Sequence, residues 1–228
     1  MTTRLFVFDW DGTLCDSTDH IVHTMQRAIA ARRLPPLTDA AVRNIIGLGL
    51  PEALRTLYPD QPAERLEALR QSYARLYVEA DHRQVSALFP GAQETLAALR
   101  ERGHRLAIAT GKSRRGLDRV LGQLGLADAF DATRCADETR SKPHPLMLEE
   151  LLDELGFSPA DAAMVGDTEY DLAMAAAMGV AAVAVTWGAH DAERLRRHQP
   201  QRIIDRLPQL LDWSLAAPAR GTTADSPA

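Results

Sequence analysis

The stretch Leu5-Phe6-Val7-Phe8-Asp9-Trp10-Asp11-Gly12-Thr13 decides how this chain is read. Four apolar residues follow one another without alternation and stop at an aspartate. The run is too short for a helix and lacks the two-residue period of a half-exposed strand, so it predicts a parallel strand covered on both faces. Runs of the same form stand at residues 106–109, 162–165 and 181–185, with weaker ones at 130–133 and 202–204. Amphipathic helical stretches lie between them. Residues 93–100 put Leu96 and Leu99 on one face, and residues 145–155 group Leu148, Leu151, Leu152 and Leu155. This alternation predicts an α/β fold with a doubly wound, mostly parallel, Rossmann-like sheet.

One region breaks the pattern. Residues 16–85 carry helical periodicity and no strand. Within residues 63–78, Leu66, Leu69, Tyr73, Leu76 and Tyr77 share one helix face. Pro35-Pro36, Pro59 and Pro62 mark turns, and Phe89-Pro90-Gly91 marks the return to alternation. The region reads as an all-helical domain inserted after the first strand. Residues 1–15 and 86–215 then form the core. Residues 216–228, rich in Ala, Pro, Thr and Ser, read as a disordered tail.

Composition narrows the function classes. A chain of 228 residues holds one sizeable core, or a core and a smaller inserted domain. The first apolar run is too short for a signal peptide, and no run approaches a membrane span, so no membrane partner is expected. A net charge of −5 without a basic block argues against nucleic acid. Cys15 and Cys135 lack the spacing of a metal site and read as packing residues in a reducing cytoplasm. Oligomeric state leaves no signal in the sequence.

The chemistry sits after the strands. Asp9-Trp10-Asp11-Gly12-Thr13, Thr110-Gly111-Lys112-Ser113 and Gly166-Asp167-Thr168-Glu169-Tyr170-Asp171 each follow an apolar run. Ligands of open α/β sheets bind outside the carboxyl ends of the strands, so the three clusters are expected to converge. Asp9 and Asp11, two residues apart at a strand end, are expected to point the same way, and Asp167 adds a third carboxylate. Grouped carboxylates repel unless a proton or cation intervenes. An all-oxygen set handling phosphate suits Mg²⁺. A carboxylate nucleophile, Asp9, can then form an aspartyl-phosphate, with Asp11 as general acid and base. Thr110 and Gly111, at the opening of a helix, form an anion site. Lys142, held in Ser141-Lys142-Pro143-His144-Pro145, supplies the positive charge.

Plainer readings compete with each of these. Asp9 to Gly12 suits a turn, Thr110 a helix cap, Lys142 a surface lysine, and Asp167 and Asp171 acids at a helix N-terminus. Lys112 reads as a solvated rim residue and His144 as structural. Gly-Lys-Ser at 111–113 ends like a P-loop, but Leu106 stands where its first glycine belongs.

Taken together, the motifs resemble the haloacid dehalogenase-like hydrolase superfamily. Asp9-Trp10-Asp11-Gly12-Thr13-Leu14, Ile108-Ala109-Thr110-Gly111, Lys142-Pro143-His144-Pro145, and Gly166-Asp167 with Asp171 match its four motifs in order. The helical insertion resembles the cap of the subgroup containing phosphoglycolate phosphatases. The resemblance implies Asp9 as nucleophile and metal ligand, and Asp11 as acid and base with its backbone carbonyl on Mg²⁺. It implies Thr110 and Lys142 on the phosphoryl group, Asp167 on the metal and Asp171 in support. The implied substrate is a small phosphorylated metabolite, phosphoglycolate foremost. Asp11 argues against a dehalogenase, and the lack of lysine in residues 16–85 against a phosphonoacetaldehyde hydrolase. A sugar-phosphate mutase using Arg43, His20 and His23 stays open, as does a phosphate-binding regulatory protein. The turn Gly47-Leu48-Gly49 resembles a cap specificity loop and reads equally as a helix–helix turn.

Overall fold

The computed structural model describes residues 4–81 and 87–213. The stretch 216–228, expected to be disordered, lies outside the described residues. Six parallel strands are described: β1 (Leu5–Phe8), β2 (Arg105–Thr110), β3 (Ala132–Cys135), β4 (Ala162–Gly166), β5 (Ala181–Val185) and β6 (Arg202–Ile204). They form one sheet in the order β3-β2-β1-β4-β5-β6. That is the doubly wound arrangement expected from the sequence. The chain winds outward from β1 in both directions, so the topological switch lies beside β1. Phe8 is in register with Ile108 on one side and Val165 on the other, so β1, β2 and β4 end nearly level.

Helices α1 (Thr18–Ala31), α2 (Asp39–Arg43), α3 (Leu50–Leu57) and α4 (Ala63–Asp81) come between β1 and β2, followed by α5 (Ala92–Glu101). Later come α6 (Arg114–Gln123), α7 (Leu146–Leu155), α8 (Glu169–Met178) and α9 (Ala192–Arg196). Alternation along β1 sends its side chains into two layers. Phe6 and Phe8 pack with Leu96 and Leu99 of α5 and Leu117 and Leu121 of α6. Leu5 and Val7 pack on the other face with Leu148, Leu151 and Leu152 of α7 and Met174 of α8. Both layers exclude water, which accounts for the unbroken apolar runs. Cys15 and Cys135 are buried free thiols.

The helices α1–α4 build a separate apolar cluster. Leu69, Leu76 and Tyr77 of α4 are buried in it against Ile21, Met25 and Ile29 of α1, with Leu66 and Tyr73 partly covered. The stripe read from residues 63–78 is therefore the buried face of α4. The segments entering and leaving these helices run side by side, with the Asp16 N–H on the Ala87 carbonyl and the Phe89 N–H on the Leu14 carbonyl, both 2.9 Å. No helix among the described residues is long and apolar enough to cross a membrane.

Two local readings need correction. β3 begins at Ala132 rather than at residue 130. The Asp131 carboxylate takes the Leu106 N–H at 2.8 Å, so the chain is still turning into the sheet there. Helix α6 begins at Arg114, beyond Thr110. Ser113 is its cap and accepts from the Gly116 N–H, while Thr110 is the last residue of β2.

Polar contacts seat the helical insertion on the core. The Asn44 carbonyl accepts from the Tyr170 hydroxyl at 2.9 Å and lies 3.2 Å from His190 Nε2. Arg194 reaches the Asn44 side chain and pairs with Glu169. The hydrogen bonds from Arg194 hold the Glu169 carboxyl down at about 2, against the opposing effect of its burial. Its folded value lies below its ordinary 4.5, so its stabilisation is present above pH 4.5 and is lost as the pH falls toward about 2. Urea midpoints measured across that window should fall less steeply with acidification in Glu169→Gln than in the wild type.

Candidate active site

Asp9 directly follows β1, and its N–H donates to the Val165 carbonyl of β4 at 2.9 Å. This contact carries the sheet pairing one residue past the strand. The Asp9 side chain is almost wholly buried, at 1% exposure. Its Oδ1 accepts from the Trp10 N–H at 2.7 Å and lies 2.8 Å from Lys142 Nζ. Its Oδ2 is buried with no hydrogen-bond partner among the described residues. Lys142 Nζ also lies 2.6 Å from Asp171 Oδ1. Asp171 Oδ2 in turn accepts from the Thr168 N–H and hydroxyl, which fixes both the helix start and the carboxylate. Asp167 accepts from the Thr13 hydroxyl at 2.8 Å and from the Ala189 N–H at 2.7 Å.

These contacts bring Asp9, Asp167 and Asp171 together, each offering an oxygen within 4.8 Å of the others. Of the three buried carboxylates, Asp9 and Asp171 share the Lys142 ammonium. Burial raises the Asp9 carboxyl well above its ordinary value; Lys142 opposes the shift, and Asp171 and Asp167 reinforce it. Burial, then Asp171, pushes Asp167 up to about 7. Burial works against the charge on Lys142, but Asp171 and Asp9 outweigh it and raise its pKa. The orphan oxygen on Asp9, the excess of negative charge and the all-oxygen donor set fit a hard divalent cation.

Glycines permit this crowding. Gly12 has φ +84°, and a β-carbon there would sit 2.3 Å from Asp167 Oδ2. At Gly111 a β-carbon would sit 2.4 Å from the Leu48 carbonyl oxygen, so the insertion's 47–49 turn lies directly over the end of β2. The Gly49 N–H also donates to Ser141 Oγ at 2.7 Å. The 47–49 turn thus packs on the core at two places. Thr110 is fully buried, and its hydroxyl accepts from the Lys112 N–H at 3.1 Å.

Asp11 departs from expectation. Its carboxylate accepts from Ser17 Oγ at 2.6 Å and from Lys112 Nζ at 2.8 and 2.9 Å, and it is not part of the aspartate cluster. The two-residue period stops with β1 at Phe8, so it does not fix the direction of the Asp11 side chain. Lys112, read from the sequence as a solvated rim residue, is instead largely buried, its side chain 11% exposed. The covering comes from Tyr77 of α4, whose ring centroid lies 4.9 Å from Nζ. His144 fits its structural reading, since its Nδ1 accepts from the Leu146 N–H at 3.2 Å. Arg43 pairs with Asp19, and both line a surface cavity of about 340 Å³ with His23 and Gln26, whereas His20 packs on Tyr77. Sequence reasoning missed Thr13, Ser17 and Ala189.

Known proteins bear on this arrangement. The family model described as haloacid dehalogenase-like hydrolase matches residues 6–185. The probable phosphatase IndB of Dickeya dadantii is 37% identical over 210 residues, 91% of each chain. The phosphoglycolate phosphatase of Vibrio vulnificus is 32% identical over 223 residues, 94% of this chain and 97% of its own. The crystal structure of a hydrolase from Pseudomonas syringae superposes with a TM-score of 0.84 at 25% identity, covering 92% of this chain and 97% of that one. The matched residues include the buried aspartates after β1 and β4, and the chain is a member of the haloacid dehalogenase-like hydrolase family.

Proposed function

We propose that the protein is a Mg²⁺-dependent phosphatase that hydrolyses a small phosphorylated metabolite through an aspartyl-phosphate on Asp9. Phosphoglycolate is the leading substrate. The observation that carries this reading is Asp9 itself: a buried carboxylate with one oxygen on Lys142 and the other without a hydrogen-bond partner among the described residues, beside Asp167 and Asp171. The names of the relatives from Dickeya and Vibrio support the class of reaction.

In this reading the free oxygen of Asp9 attacks phosphorus, and the bond from phosphorus to the ester oxygen breaks. Asp11 gives its proton to the departing alkoxide. It then takes a proton from water as that water attacks the phosphorus of the aspartyl-phosphate, releasing inorganic phosphate and restoring Asp9. Lys142, the Thr110 hydroxyl and the Gly111 N–H hold the phosphoryl oxygens. Asp9, Asp167 and the backbone carbonyl of Asp11 would hold Mg²⁺, with Asp171 in support. The ion would offset the repulsion between Asp9 and the anionic ester. Residues 16–85 act as a cap on the core of residues 1–15 and 86–215. The paired segments near Leu14 and Phe89 serve as its hinge, and its closure excludes water from the site. Buried free thiols at Cys15 and Cys135 suit a cytoplasmic enzyme.

Phosphate release from a panel of phosphorylated metabolites, with Mg²⁺ and with chelator, tests this reading. The metal has a second readout. Mg²⁺ at a hundred times its dissociation constant stabilises the fold by about 2.7 kcal/mol, roughly 5–11 °C for a chain of this size. Thermal unfolding should show this shift in the wild type and lose it in Asp167→Asn. An unshifted wild type contradicts the metal assignment.

A further inference from the structure

The chain contains 26 basic residues, of which two are lysines, Lys112 and Lys142. Arginine serves at the other positions and makes the surface ion pairs, such as Arg55 with Glu52 and Arg75 with Glu79. Lysine stands where a compact ammonium must fit inside the site, since a guanidinium is larger and holds its donors in a fixed plane. Lys142 belongs to the phosphoryl side, between Asp9 and Asp171. Lys112 lies on the side facing the insertion. Its Nζ holds both oxygens of Asp11 at 2.8 and 2.9 Å and lies 3.3 Å from the Tyr77 hydroxyl.

This pairing conflicts with the work assigned to Asp11. An acid that protonates a departing alkoxide must reach it, yet Asp11 is held by Lys112 and Ser17. Pulling Asp11 away leaves a largely buried ammonium without its anion, which is strongly unfavourable unless another anion takes the place. The surroundings favour such an anion. The Tyr77 ring carries Lys112 on one contact and the Arg119 guanidinium on another, at 4.9 and 6.0 Å from its centroid.

We propose that Lys112 is the receptor for a carboxylate carried by the leaving alcohol. Binding then exchanges its partner: the substrate carboxylate takes the ammonium, and Asp11, released, takes up a proton from solvent and passes it to the ester oxygen as the bond to phosphorus breaks. Phosphate esters of uncharged alcohols leave Asp11 held by Lys112 and react slowly. This deepens the phosphatase reading and rests on it.

The test compares three esters with Mg²⁺. 2-Phosphoglycolate carries the carboxylate, ethyl phosphate has a methyl group in its place, and p-nitrophenyl phosphate has a leaving group that needs no proton. The wild type should prefer 2-phosphoglycolate to ethyl phosphate. In Lys112→Met the ratio of the two kcat/KM values should fall by about 10–100-fold, the worth of a charge-assisted hydrogen bond. Lys112→Gln, which keeps a donor without the charge, should behave alike and serves if the Met variant does not fold. Loss of both esters by one common factor would make Lys112 a structural pin and overturn the proposal, as would a wild type that does not prefer the carboxylated ester. A wild type inactive on all three esters overturns the phosphatase reading itself.

Discussion

Asp9→Asn is expected to lower turnover by roughly 10⁴-fold or more while raising, not lowering, the melting temperature of the metal-free protein. The first part follows from its role as nucleophile, since an amide oxygen forms no stable acyl phosphate. The second follows from electrostatics. Asp9 is buried beside Asp171 and Asp167, and its carboxyl is raised well above its ordinary value because burial and those two neighbours outweigh Lys142. Its charge is a cost of folding, and the isosteric amide removes that cost. Lys142 keeps Asp171 at 2.6 Å in the variant. A gain in stability with loss of function is the signature of a strained catalytic group. Phosphate release and a thermal melt in chelator check both halves. A melting temperature that falls would mean that Lys142 and Asp9 hold the fold together more than they hold it under tension.

Lys142→Met is expected to fail in both respects. Lys142 is 1% exposed and is the ammonium shared by Asp9 and Asp171. Removing one partner of a buried ion pair costs about 3–5 kcal/mol, roughly 6–20 °C of melting temperature here. The lost phosphoryl contact lowers kcat/KM by about 10²–10³-fold as well. Combining it with Asp9→Asn should recover part of the lost stability, because the double variant buries one carboxylate fewer beside the missing charge. Strict additivity of the two melts would show that Lys142 and Asp9 do not interact.

The contrast between these two residues shows what the sequence made legible. Apolar runs ending in polar clusters are a direct record of buried parallel strands, and β5 and β6 match their runs residue for residue. Asp9 and Asp167 were legible because each follows an apolar run whose direction the pattern reveals, and Lys142 because the phosphoryl charge calls for a cation and prolines flank it. Asp11 was not, because β1 ends at Phe8 and the two-residue period no longer sets side-chain direction three residues on. Lys112 was not, because its burial comes from Tyr77, 35 residues away in sequence on α4. The contact of the Ala189 N–H with Asp167 was hidden for a similar reason: a loop contact 22 residues apart has no periodicity to announce it. Strand order and site position are thus local and topological facts, while the partners of a side chain depend on how the insertion folds over it.

A covalent phosphoryl group on Asp9 is the intermediate on which the mechanism turns. Asp11→Asn with p-nitrophenyl phosphate and Mg²⁺ isolates that step, because p-nitrophenolate departs without a proton whereas hydrolysis of the acyl phosphate needs the missing base. Acid-quenched protein should carry one phosphoryl mass, peptide mapping should place it on Asp9, and hydroxylamine should remove it. A phosphoryl group on any other residue, or steady hydrolysis by Asp9→Asn, would contradict the mechanism.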